Sequence, residues 1–185
     1  MKREDTEELL GRVAQAMLEA NDAQSLAMLS VLLKQAPDCA EAYYLLGAQQ
    51  AQLGEMNLAE QAFEQALRLS PGLEMARFQL GQLLLVTGRN AEAAQMLAPL
   101  AESADAIGSY ASGLVSIANQ QIDLAISQLQ MGLAQVQPLA ALQADMRALV
   151  HTLSNNGVAQ GFGPTDIGDS LPGASMLLSN YSRYN

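Results

Sequence analysis

Apolar residues recur along most of the chain at three- and four-residue intervals, the spacing that places side chains on one face of a helix. Four such faces are prominent. The first runs through Leu10, Ala14 and Met17, the second through Tyr44, Ala48 and Ala51, the third through Phe78, Gln82 and Leu85, and the fourth through Tyr110, Leu114 and Ile117. A fifth segment is apolar at Leu139, Leu142, Met146, Leu149, Val150 and Leu153 and predicts one further helix over 139–154. No alternating pattern of the kind a strand requires competes with these.

The helices are spaced by a period. Pro37, Gly47 and Ala59 recur as Pro71, Gly81 and Ala93, each displaced by 34 residues. Leu46-Gly47 pairs with Leu80-Gly81, Gly54 with Gly88, and Phe63 with Leu97. Small residues recur where two helices of one hairpin touch, glycine where the chain turns between them, and proline where a helix must not continue. One period earlier stand Val13, Ser25, Leu29, Leu32 and Pro37, which keep apolar character but lack the glycines. A step of 32 residues forward leads to Gly113, Ala125 and Leu129, with Pro138 closing a shortened unit.

The run Tyr43, Leu46-Gly47, Gly54, Ala59, Phe63, Ala66 and Pro71 resembles the signature of the tetratricopeptide repeat family. The next repeat keeps Leu80, Gly81, Gly88 and Ala93. It departs at Arg77, where the family prefers an aromatic, and at Pro99, which predicts a kink or early stop in its second helix. The resemblance covers residues 6–138 and implies an all-α, right-handed α-α superhelix, a solenoid of about four helical hairpins with a capping helix. Expected repeats are 6–39, 40–73, 74–105 and 106–138, and each hairpin buries its apolar face only by stacking on its neighbours.

From Ser154 onward Asn155-Asn156-Gly157, Gly161-Phe162-Gly163-Pro164 and Pro172-Gly173 follow closely, a density of breakers that predicts a flexible tail over 155–185. Its final stretch nonetheless carries Leu171, Met176, Leu177, Leu178, Tyr181 and Tyr184, residues that disordered linkers usually lack. Docking of this segment in the chain's own groove is therefore an expectation alongside mobility.

Charge narrows the function. The net charge is −10 and the only lysines are Lys2 and Lys34, which argues against nucleic acid and anionic membrane as partners. No stretch approaches the roughly 20 apolar residues of a membrane span, and the charged start, Met1 to Glu8, lacks the apolar core of a secretory signal, so a cytoplasmic location is expected. Cys39 has no second cysteine to pair with and is expected to be a small buried side chain.

No phosphate-cradling loop or paired-histidine zinc motif is present, and His151, the single histidine, is expected to be a partly buried structural residue. No cofactor and no metal is expected, and no catalysis. Glu41 and Glu74 stand near the start of successive helices, where a carboxylate relieves the N-terminal dipole.

Within the resembled family the concave surface is lined by the first helix of each hairpin. The resemblance thus implies a partner-binding groove of Leu10, Met17, Tyr44, Ala48, Phe78, Gln82, Leu85, Tyr110, Leu114 and Ile117. It lacks the lysine, arginine and asparagine with which some members hold a charged C-terminus. An apolar peptide or helix with leucine, isoleucine or aromatic anchors is the expected partner. The expected function is a non-enzymatic adaptor or chaperone-like module. The alternatives are a protein similar to the secretion chaperones that shield translocators, or a structural subunit that self-associates through its repeats, for which the weakly charged residues 106–144 supply a face.

Overall fold

Each helical hairpin turns at one residue with positive φ, and these residues keep the sequence period: Ala20 (φ 53°), Gly54 (80°), Gly88 (77°) and Gln120 (61°). The left-handed conformation costs glycine nothing and costs other residues about 1 kcal/mol. The two middle turns therefore use glycine, and the two outer ones tolerate the strain.

The computed structural model describes residues 3–137 and 140–156, which form nine α-helices and no strand among the described residues. The first helices of the hairpins are α1 (Arg3–Leu18), α3 (Ala40–Gln52), α5 (Glu74–Val86) and α7 (Ala106–Ala118). The second helices are α2 (Asp22–Gln35), α4 (Met56–Leu69), α6 (Asn90–Ala101) and α8 (Ile122–Leu133). A ninth helix, α9 (Ala140–Asn156), follows. The fold class is the all-α helical repeat that the period implies. The described chain falls into two compact units, dividing within α5 after Ala76.

In the first unit α1 packs on α2 and α3, α2 packs on α3, and α3 packs on α4. Val13, Met17, Leu29, Leu32, Leu45 and Phe63 form its buried centre. Glycine at 47 is a packing requirement, because a Cβ there would stand 2.7 Å from Phe63 Cδ1 and 3.1 Å from the Ala59 carbonyl. The Phe63 ring also lies against Tyr44, with centroids 6.1 Å apart. Ser25, in the register of Ala59, is fully buried and its hydroxyl donates to Gln49 Oε1 at 2.7 Å. Gln49 Nε2 in turn donates to Asp22 Oδ1 at 2.9 Å, so the buried amide is satisfied at both ends and ties α2 to α3.

In the second unit α6 packs on α7, α7 on α8, and α8 on α9. The same close approach recurs in register: a Cβ at Gly81 would stand 2.4 Å from Leu97 Cγ, and one at Gly113 2.6 Å from Leu129 Cγ. Of the thirteen residues of α7 only Ser112 and Val115 are not buried. Asp105 caps this helix, accepting from the Gly108 amide at 2.8 Å. Ser116 Oγ donates to Gln128 Oε1 at 2.6 Å across the hairpin.

α6 continues through Pro99 and stops two residues later. The helix ends at Ala101 after 12 residues, against 14 in α2 and α4. α9 buries Leu142, Met146, Leu149 and Leu153 in the manner expected of the last helix. It continues through Asn155 and Asn156, where the density of breakers predicts tail. Residues 157–185, and with them the anticipated tail and its apolar end, lie outside the described residues.

Candidate partner-binding faces

Helical spacing of three, four and seven residues places each candidate set along one side of its first helix. In the first unit these are Leu10 and Met17 on α1, and Tyr44 and Ala48 on α3. In the second they are Phe78, Gln82 and Leu85 on α5, and Tyr110, Leu114 and Ile117 on α7. All ten are buried, and Gln82, the most accessible, is only 5% exposed. Periodicity identifies which positions share a face, and the structure adds that these faces are enclosed.

Tyr44, Phe78 and Tyr110 occupy one register position in three successive first helices. Tyr44 rests on Phe63 of its own hairpin. The Tyr110 hydroxyl donates to the side-chain oxygen of Gln137, and burial pushes the phenol above its ordinary pKa. Gln137 Nε2 donates back to the Gly132 carbonyl at 2.7 Å and the Gln135 carbonyl at 2.8 Å. Gln135 Nε2 donates to Ser109 Oγ at 3.1 Å, so the loop after α8 is bound to α7 by two side chains. Gly132 belongs to the same arrangement, since a Cβ there would stand 2.5 Å from Tyr110 Cε1.

The sequence reading missed this loop, and also Gly108, whose Cβ would meet the Ser103 carbonyl at 2.0 Å. Neither repeats with the period, so comparison of one repeat with the next carries no sign of them. The Ser25 to Gln49 bond had one sign: a hydroxyl standing where the next repeat has Ala59.

Groups outside the faces offer little chemistry. Cys39 is half-buried, and burial first and the Glu41 carboxylate, 3.6 Å from its sulfur, second push the thiol pKa up. A protonated thiol is a poor nucleophile. His151 is exposed rather than partly buried, because it faces outward on α9, and Asn155 Nδ2 lies 3.1 Å from its Nε2. Arg89 and Glu92 form an exposed ion pair at 2.6 Å, which lowers the Glu92 pKa. Among the described residues no three histidine, cysteine or acidic side chains gather as metal ligands would. Nor is any described helix long and apolar enough to cross a membrane.

Comparison with known proteins agrees with the geometry. A family model described as tetratricopeptide repeat matches residues 50–116. No curated protein sequence matches the chain significantly. Among the solved structures that match in fold are two that each have a TM-score of 0.61 and each cover 97% of this chain and 96% of the other. One is MamA, from residue 41 to its end, of Desulfovibrio magneticus RS-1, at 19% identity. The other is a MamA RS-1 ArsTM double mutant, at 18% identity. At such identities the likeness concerns the paired-helix repeat fold.

Proposed function

We propose that this chain, whose residues 50–116 match a tetratricopeptide repeat model and whose repeat fold is a scaffold for protein interactions, is a cytoplasmic, non-enzymatic adaptor or chaperone-like module that holds an apolar segment of a partner on its first-helix faces. The observation that carries this reading is the register of Tyr44, Phe78 and Tyr110. Three successive first helices present an aromatic at one position, followed one turn on by Ala48, Gln82 and Leu114. No acidic or basic side chain stands at any of the ten face positions, in a chain of net charge −10. Where they become uncovered, such faces select partners by apolar burial, at about 25 cal/mol per Å² removed from water, and not by charge.

Burial of the ten side chains gives capture a gated character. A partner binds only where the face becomes uncovered, and its apparent affinity falls by the fraction of chains in that state. The segment Leu171–Tyr184, outside the described residues, has the leucines and tyrosines to compete for the same faces.

Calorimetric titration of the full chain, and of the chain truncated after Asn156, with leucine- and tyrosine-bearing helical and extended peptides tests the reading. Circular dichroism verifies helicity of both forms. Binding with a negative heat-capacity change, little affected by salt and tighter for the truncated form, is expected. If neither form binds any apolar peptide, the adaptor reading is wrong.

A further inference from the structure

We propose that the outer face of α8 is a self-association surface, at which two copies of this chain meet about a two-fold axis. The large apolar side chains exposed elsewhere, Leu18, Val31, Leu53, Leu58 and Leu69, each have a charged residue within three positions along the chain, whereas Met131 and Val136 have none. Along α8 and the loop after it stand Leu124 (46% exposed), Met131 (58%) and Val136 (94%), the last two the most exposed large apolar side chains among the described residues.

Leu124 and Met131 are seven residues apart and share one side of the helix, with exposed Ser127 between them and exposed Ala134 beyond. The other side of α8 is occupied: Ala125, Leu129 and Gly132 are buried, and α7 and α9 pack on the helix. Val136 is displayed by a preorganised loop, because its neighbours Gln135 and Gln137 turn their amides back onto Ser109, Tyr110 and Gly132. A side chain held out in this way loses little freedom when it is covered.

Charge identifies the occupant as a second copy. Residues 106–144 contain one charged residue, Asp123, in a chain of net charge −10. Two such chains repel over most of their surfaces and approach at a neutral face, whereas a basic partner would be drawn to the acidic surfaces and away from α8. Two-fold pairing is self-consistent, because antiparallel α8 helices set Leu124 of each copy against Met131 of the other, with small Ser127 near the axis. This association is separate from peptide capture on the first helices, and either can fail without the other.

Sedimentation velocity and light scattering of the full chain over a concentration series test the proposal. A concentration-dependent dimer is expected, and Met131→Glu with Val136→Glu raises its dissociation constant at least about tenfold, leaving helicity and melting unchanged because both side chains are exposed. Ser127→Cys in a Cys39→Ser background is expected to form a disulfide-linked dimer under mild oxidation, and the background alone none. A chain that stays monomeric at every concentration overturns the proposal. So does a dimer that survives both glutamates and does not cross-link through position 127.

Discussion

Replacing Gly81 with alanine adds one carbon at the tightest glycine contact between two helices of the second unit. The new Cβ stands 2.4, 2.6 and 3.0 Å from Leu97 Cγ, Cδ2 and Cδ1, against an ordinary contact of about 3.5–4 Å. Leu97 is fully buried, so its side chain withdraws only by displacing other core atoms. Overpacking of this kind costs about 1–3 kcal/mol, while alanine gains about 0.5–1 kcal/mol over glycine within a helix, leaving a net loss of about 0–2.5 kcal/mol. Leu97→Ala alone opens a cavity and costs about 2–5 kcal/mol. In the double variant the overlap is gone, the alanine methyl occupies part of the cavity, and the helix gain remains. The double variant is therefore at least as stable as Leu97→Ala, with a coupling of about 1–3 kcal/mol. Urea unfolding of all four forms by circular dichroism measures the cycle, with unfolding slopes compared to verify one transition. Losses that simply add would refute the claim that position 81 is glycine because Leu97 fills the space.

Further outcomes follow from other positions. Gln120→Gly removes left-handed strain at the last hairpin turn and is expected to stabilise by about 0.5–1 kcal/mol in thermal melts, while the same replacement at helical Ala118 destabilises. Gly108→Ala is expected to cost more than Gly81→Ala, since the obstacle is the Ser103 backbone carbonyl at 2.0 Å and not a side chain; comparison of urea midpoints checks this. Ser25→Ala leaves buried Gln49 without one partner and is expected to lose about 1–3 kcal/mol in urea unfolding, and Gln49→Leu in the same chain to recover part of it. The folded-state pKa of Tyr110 lies above its unfolded value of about 10, so its stabilisation is complete below pH 10 and is lost as pH rises through the folded value. Tyr110→Phe is expected to melt lower at neutral pH, with a weaker further fall above pH 10.

The helices and their pairing were legible because the features that define them are local and repeated. Glycine at 47 and 81 faces Phe63 and Leu97, and glycine at 54 and 88 supplies positive φ, so each leaves a residue type at a fixed interval. The outer turns were hidden because Ala20 and Gln120 adopt the same conformation without the residue that announces it. Enclosure of the candidate faces was not legible either, since a three- and four-residue rhythm states which side chains share a side and not what covers that side. The Gln135 and Gln137 bonds escaped because they join a loop to residues more than twenty positions away and occur in one hairpin only.

Hydrogen exchange on the full chain, with and without a bound apolar peptide, tests the central claim most directly. The account predicts that added protection concentrates in the first helices α1, α3, α5 and α7, around Leu10, Tyr44, Phe78 and Tyr110. Protection confined to the second helices α2, α4, α6 and α8, with the first helices unchanged, would contradict it.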